Sequence, residues 1–373
     1  MITIQAVRSK KEQNEFINLS WFIYKNDEHW VPPLRLDMKS WFSPKHPFYE
    51  YGEMQFFIAK QDGKTVGRIA AILNPLYNQH QTAPPTGFFG FFECIDNQEV
   101  ANKLFDEASN WLRDRGIQIV HGPASPSSNY DYGLLTKGFD DAPRLMMTYN
   151  PQYYEKLIRN YGFEQVKLLY AYKVDAALAF ANNRLERGAA IVRKRTGVRI
   201  RKLQKSKLKE EMKHVKKIYN AAWQANWGHL PFTESELDKL GADLKLIADE
   251  DLLLFAEIGG EVVGKGLAIP DFYFIQKQMN GRLLPFNFLK LFTQRKKIEW
   301  ARVITLGILP AYRKKGIDTV LCYELLKAAI NKGIKYGEGS WILEDNVMMN
   351  RAMQGFSGEV YKEYTVFEFD LER

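Results

Sequence analysis

The sequence predicts an α/β protein of two tandem domains, each a mixed sheet flanked by helices. Three observations carry that expectation. At 373 residues the chain exceeds what a single core ordinarily serves. A run that is apolar on both faces, Val303 to Leu309, passes through a basic glycine turn into a helix, as in a buried central strand with a crossover. The succession of strands and helices in the second half repeats that of the first. The expected division is 1–175, a basic connecting helix over 176–196, and 197–373.

Composition supports a folded interior: 46% of residues are hydrophobic and 14% aromatic, enough to bury substantial cores. The two cysteines, Cys94 and Cys322, stand far apart inside apolar runs and read as buried thiols, not as a disulfide or a metal site. Neither a signal-peptide pattern nor an unbroken apolar run of ~18 residues is present. A reducing, cytoplasmic location is expected.

Ile2, Ile4 and Ala6 alternate as a strand, and a helix follows from Lys10 to Tyr24. Met54 to Lys60 and Thr65 to Leu73 flank Asp62-Gly63-Lys64 as a hairpin. Gly87 to Phe92 is a further buried strand, and Leu104, Ala108, Trp111 and Leu112 mark one face of the helix after it. Between them Glu93 to Glu99 carries three carboxylates and no cation, a turn that would repel an anion. His121 lies near Ser125, Ser127, Ser128 and Asp131, but the strand-to-helix Gly-x-Ser-x-Gly elbow of a hydrolase is missing, so a structured loop is expected.

The formal charge of +8 is concentrated in one place. From Arg184 to Lys217 fourteen Lys/Arg face three Glu, a local +11 that leaves −3 elsewhere. With almost no aromatic interleaving the segment does not read as a nucleic-acid platform, and nucleic acid is not an expected partner. It is either a solvated helix and strand edge, or a dock for an anionic membrane surface, an acidic carrier protein or a set of phosphates. Leu178 to Arg195 reads as a connecting helix, Gly197 to Leu203 as a strand and Leu208 to Ala225 as a helix. Thr233 and Glu236 form a capping box, and Leu252 to Glu257 pairs with Val262 to Ile269 around Gly259-Gly260.

After the central strand, Pro310 gives way to Ala311-Tyr312-Arg313-Lys314-Lys315-Gly316-Ile317, and Asp318 stands at the expected helix N-cap. Backbone N–H groups, a helix N-terminus and three cations then converge on one spot, an arrangement suited to a pyrophosphate. Arg313-Lys314-Lys315-Gly316-Ile317-Asp318 resembles the Arg/Gln-x-x-Gly-x-Gly/Ala loop of the GNAT acyl-CoA N-acyltransferases, with Asp318 replacing the last small residue. The resemblance implies acyl-CoA as co-substrate, held by Ile308, Leu309, Arg313, Lys314, Lys315, Gly316, Ile317, Asp318 and Thr319, with no metal. It also implies that the first half, lacking such a loop, is a degenerate copy of the same fold.

In that family the next strand, here Ser340 to Asn346, splays from its neighbour to admit the thioester. Glu344 and Asn346 would then face the reaction centre; capping of the next helix is the other account of both. A primary amine must lose a proton to attack, and Glu344 or Asp271 are the candidate acceptors, with N–H groups around Ile308 and Leu309 stabilising the oxyanion. The family's usual tyrosine falls on Met353, leaving Tyr361, Tyr364 or water as proton donor. Trp223-x-x-x-Trp227-Gly228, Asn280-Gly281-Arg282, Leu309-Pro310-x-Tyr312-Arg313 and Ser340 to Asn346 look like a family of bacterial tandem-GNAT proteins, some implicated in N-acylating a long-chain base. An amine acceptor, lipid-like in that case, is implied, and peripheral contact with an anionic membrane through 184–217 goes with it. A Fem-like aminoacyl-tRNA-dependent transferase and a non-catalytic binding protein on the same scaffold are the alternatives.

Overall fold

Ser9 opens the first helix, Lys10–Ile23, by the reciprocal bonds of a capping box with Glu12. The computed structural model describes every residue except 82, 83, 182, 225 and 246. It separates into two units, the first made of residues 1–169, 276–287 and 362–373, the second of 170–275 and 288–361.

In the first unit the strands Ile2–Ala6, Glu53–Gln61, Lys64–Leu73 and Thr86–Cys94 pair antiparallel in sequence order. Ile119–Gly122 then joins parallel to Thr86–Cys94, and the last residues of the strand Glu359–Asp370 pair antiparallel with Ile119–Gly122 and with Leu134–Lys137. Helix Gln98–Arg113 makes the parallel step and buries Leu104, Phe105, Ala108 and Leu112 against the sheet. Asn97 caps it. The acidic stretch before it differs from the sequence expectation, because Glu93 belongs to the strand and not to the turn. Its carboxylate accepts from Tyr154 Oη at 2.6 Å and Ser20 Oγ at 3.2 Å and pairs with Arg68 at 3.3 Å, all buried. Arg68 also donates to the carbonyls of Phe16 and Phe91. Burial pushes the Glu93 carboxyl up, and the Arg68 guanidinium opposes that.

The second unit has the strand order Tyr336–Leu343, Trp300–Ile308, Glu261–Pro270, Leu253–Ile258, Arg199–Lys202. Only the first pair is parallel, with helix Ile317–Asn331 as its crossover. The predicted connecting helix is two helices, Ala176–Ala181 and Arg184–Thr196, and residue 182 between them lies outside the described residues. Arg184–Thr196 packs with Ile317–Asn331 on one face of the sheet. Helix Leu208–Trp223 packs on the other through Val215 and Ile218 against Leu253, Phe255 and Leu267; its predicted end, residue 225, is also outside the described set. The Thr233–Glu236 capping box is present with both bonds formed.

One charge sits inside this second layer. Lys265 is fully buried, donates to the Val215 carbonyl at 3.0 Å and lies 5.2 Å and 5.4 Å from the ring centres of Tyr219 and Trp223. Burial pushes its ammonium down to about 7. Between that value and the ~10.4 of an unfolded lysine the unfolded chain binds one more proton. Stability therefore rises with pH across this window, by at most ~1.4 kcal/mol per pH unit, and is lost as pH falls toward 7.

Two outcomes follow. Arg68→Met leaves Glu93 buried without its cation and should cost about 3–5 kcal/mol, part of which Arg68→Met/Glu93→Leu recovers; urea unfolding of the three proteins measures this. Lys265→Met should be most favourable relative to wild type near pH 7 and converge on it toward pH 10, so a flat difference across that range would exclude a buried neutral lysine.

Candidate active site

The site is defined by where two strands stop pairing. Trp300–Ile308 and Tyr336–Leu343 run in register from Trp300 opposite Tyr336 to Val303 opposite Gly339, and no pairing continues beyond, although five and four further residues of strand follow. On the other edge of Trp300–Ile308, Leu267 faces Thr305 and Ala268 faces Val303, so Ile304 is the extra residue of a β-bulge, a feature that bends a strand. The bulge sits where the gap opens.

Within the gap the backbone offers donors in alternation. Leu309 N–H donates to the Val263 carbonyl at 2.9 Å and so is already engaged by the neighbouring strand. This corrects the pairing of Ile308 with Leu309 as oxyanion donors. Because successive N–H groups point to opposite edges, those of Ile308 and Leu306, both half-buried, are aimed at the opening, where an incoming acceptor can meet them.

A polar knot closes the gap at its base. Arg302 and Glu338, directly opposite each other, are 4% and 1% exposed. Arg302 Nε donates to Ser340 Oγ at 2.8 Å, Ser340 Oγ donates to Glu338 at 2.6 Å, and Tyr361 Oη donates to the other Glu338 oxygen. The Arg302 guanidinium lies 5.2 Å from the Trp341 ring centre. Met353 packs beside Gly339, where an added Cβ would come 2.7 Å from its Cε. Of the two tyrosines named as substitutes for Met353, Tyr361 belongs to this knot, whereas Tyr364 is fully buried in the first unit. Sequence reasoning missed Arg302, Glu338 and Ser340. The available signal was an Arg and a Glu interrupting two otherwise apolar neighbouring strands.

At the far end of Trp300–Ile308 the basic turn leads into helix Ile317–Asn331. Its N-cap is Gly316, at φ 81°, and Asp318 lies one residue inside the first turn, a correction to the expected cap. A Cβ at 316 would meet Val192 at 2.8 Å, so only glycine lets helix Arg184–Thr196 approach this loop. Arg195 of that helix donates to the Lys315 carbonyl at 2.7 Å. A cavity of about 400 Å³ opens there, lined by Arg195, Thr196, Ile258, Tyr312 and Lys315. Arg313, by contrast, turns its guanidinium onto the Ala222 carbonyl at 2.8 Å and so ties down the end of helix Leu208–Trp223. Lys314 is exposed at φ 60°, Ile317 is core, and the Thr319 N–H bonds the Gly316 carbonyl at 3.0 Å. Two cations, a left-handed glycine and the open N–H groups of a helix start fit a phosphate group.

The three expected catalytic residues are not brought together. Asn346 Oδ1 accepts from the Met349 N–H at 3.1 Å, the capping account of that residue, and Glu344 is exposed beyond the end of its strand. Asp271 is buried beside Trp300, its N–H on the Trp300 carbonyl at 2.8 Å and its Oδ1 on the Tyr273 N–H at 3.1 Å. Trp300 pairs with Tyr336, eight residues before Glu344, so Asp271 and Glu344 stand about 26 Å apart along the strand direction. They cannot serve one amine.

Several cations of the +11 segment are paired inside the second unit. Arg193 meets Glu324 at 2.6 Å, Arg201 meets Glu211 at 2.8 Å, Lys202 meets Asp251 at 2.5 Å, Lys217 meets Glu261 at 3.2 Å, and Lys216 meets Glu234. Among the described residues no helix is long and apolar enough to cross a membrane.

Known proteins agree with this geometry. The model of the acetyltransferase (GNAT) family matches residues 212–348. The chain is 32% identical to the bacterial ceramide synthase of Caulobacter vibrioides, over 98% of this chain and 97% of that protein. It is 31% identical to protein YghO of Escherichia coli, over 98% and 94%. A tandem GNAT protein from the clavulanic acid biosynthesis pathway superposes with a TM-score of 0.58 at 12% identity, covering 100% of this chain and 99% of the other, a likeness of fold. A GCN5-related N-acetyltransferase from Sphaerobacter thermophilus gives 0.53 at 12%, over 99% and 96%. A parted parallel pair, a bulge at its opening and a glycine-capped basic turn on the same strand, in a chain with full-length relatives of this kind, make this protein a tandem member of the GNAT acyltransferase superfamily.

Proposed function

We propose that the protein is an acyl-CoA-dependent N-acyltransferase acting on a primary amine, and that the amine is a lipid-like long-chain base, as the name of the Caulobacter relative suggests for that protein. The observation that carries this reading is the union, on the single strand Trp300–Ile308, of an opening at one edge and a basic phosphate cradle at its end. Lys315, Arg195 and the first N–H groups of helix Ile317–Asn331 would hold the phosphates. The N–H groups of Leu306 and Ile308 would take up the amide and carbonyl oxygens of the donor arm, which an extended chain presents at strand spacing.

The domain division is part of the proposal: 197–373 carries the working site, 176–196 adds Arg195 to it, and 1–175 is a copy without a cradle. The turn before Gln98–Arg113 supports this, since it holds Asp96 and Glu99 and no cation. Of the three docks considered for the basic segment, the phosphate one is favoured, because Arg195 lines the cavity while many neighbouring cations are neutralised by glutamates and aspartates.

For proton transfer the buried Glu338 replaces Glu344 and Asp271 as the favoured acceptor. Tyr361 Oη, bonded to it, can take a proton from the amine while passing its own to the carboxylate, so that charge never builds on the tyrosine. Arg302 Nε lies 3.6 Å from a Glu338 oxygen, and Ser340 fixes the orientation of the carboxylate.

Calorimetry with acetyl-CoA and palmitoyl-CoA tests the binding half of this reading: both should bind, the long chain more tightly, and Lys315→Glu should weaken binding about tenfold or more. No binding to either would transfer the argument to the aminoacyl-tRNA or non-catalytic alternatives. Turnover with a long-chain amine tests the other half. Glu338→Gln should lower kcat about a hundredfold or more with acyl-CoA affinity and melting temperature retained, and an equal loss from Glu344→Gln alone would return the role to the end of the strand.

A further inference from the structure

The Asn280-Gly281-Arg282 turn belongs to the first unit and plays no part in the site described above. Asn280 and Gly281 both take left-handed backbone angles, φ 46° and φ 75°. A Cβ at 281 would come 2.5 Å from the Trp21 ring and 2.9 Å from the Pro33 carbonyl, so glycine is what lets the turn lie against helix Lys10–Ile23. Two bonds fasten it there: Trp21 Nε1 donates to Asn280 Oδ1 at 2.7 Å, and the Arg35 N–H donates to the Gly281 carbonyl at 3.0 Å. Because that carbonyl belongs to the peptide joining Gly281 to Arg282, the side chains of Arg35 and Arg282 leave the backbone at neighbouring points. Arg35 is half-buried; its guanidinium lies 3.7 Å from the Trp21 ring centre and donates to Asn18 Oδ1, one helical turn before Trp21. Arg282 is exposed.

Two cations are thus brought together without a counter-charge. Among the described residues no carboxylate is in ion-pair contact with either guanidinium. Asp37, two residues beyond Arg35 in helix Arg35–Ser40, faces another side of that helix. Burial, and then the charge of Arg282, push the Arg35 guanidinium down from its ordinary value. We propose that Arg35 and Arg282 form a binding site for a phosphate group on the first unit. The planar fork of an arginine matches phosphate bidentately, and a dianion has edges for two forks, whereas a carboxylate can fill only one. Stacking on Trp21 holds the first fork in place before a ligand arrives, which lowers the ordering cost of binding. This goes beyond the acyltransferase reading and does not depend on it: no residue of the Lys315 cradle takes part, and the two sites can be disabled one at a time.

The test is calorimetry with inorganic phosphate, at low salt and about pH 8 where phosphate is a dianion, on the full-length Lys315→Glu protein, in which the other cradle is disabled. This parent should show saturable binding. Arg35→Gln and Arg282→Gln should each weaken it about tenfold or more, and Arg282→Gln, at an exposed position, should keep the parent's melting temperature. Arg282→Lys keeps the charge but loses the fork, and should weaken binding as well. Glycerol phosphate and dihexanoyl phosphatidic acid then separate the two sources of the ligand: equal affinity marks a soluble phosphate ester, and tighter binding of the second marks a lipid headgroup. The inference is overturned if the parent binds no phosphate, or if Arg282→Gln binds like the parent. It is equally overturned if Arg282→Lys binds like the parent, which would reduce the pair to a diffuse positive patch.

Discussion

Everything functional in the second unit depends on two parallel strands that are held together at one end and released at the other. Parallel neighbours normally continue hydrogen bonding as far as both extend, and each N–H left open inside a protein is costly. Here the pairing stops at Val303 and Gly339. The bulge at Ile304 turns one strand away, and the knot of Arg302, Glu338, Ser340 and Tyr361 fastens the strands immediately before they part. An open edge in mid-sheet is thus a built feature, with donors aimed into it and a fully buried carboxylate at its floor.

The buried charges divide the labour between scaffold and site. In the first unit, Arg68 and Glu93 satisfy each other and nearby carbonyls, which joins helix Lys10–Ile23 to the strands without leaving a group for chemistry. In the second, Arg302 and Glu338 form the same kind of pair, again with two hydroxyls on the carboxylate, those of Ser340 and Tyr361, but this pair lies at the base of the opening between two strands. Lys265 is a third case. Its single carbonyl partner does not offset the cost of burial, so it is held near neutrality and packs against Tyr219 and Trp223 much as an aliphatic chain would.

Local pattern made the fold legible. The alternation in Lys64–Leu73, the 3.6-residue spacing of Leu104, Ala108 and Leu112, and the Thr233–Glu236 box each encode their element within a few residues. The basic glycine turn was readable for the same reason, although its cap was misplaced: Asp318 is a better capping type than Gly316, and only the approach of Val192, distant in sequence, makes glycine obligatory there. The proposed proton-transfer group was not readable. Asp271 and Glu344 looked equivalent because both end strands, and their separation of a whole strand length is a fact of register. Glu338 looked like an interruption in an apolar run until Arg302 was placed across from it.

The same distinction explains the basic region. A count of charge singles out 184–217, because counting weights every cation equally. What a surface presents to a partner is the charge left after internal pairing, and there glutamates of the second unit have already claimed several cations. Arg195 is different because it bonds a carbonyl and keeps its full charge beside the Lys315 cavity. In the proposed reading the segment therefore supplies a single well-placed cation to the phosphate cradle.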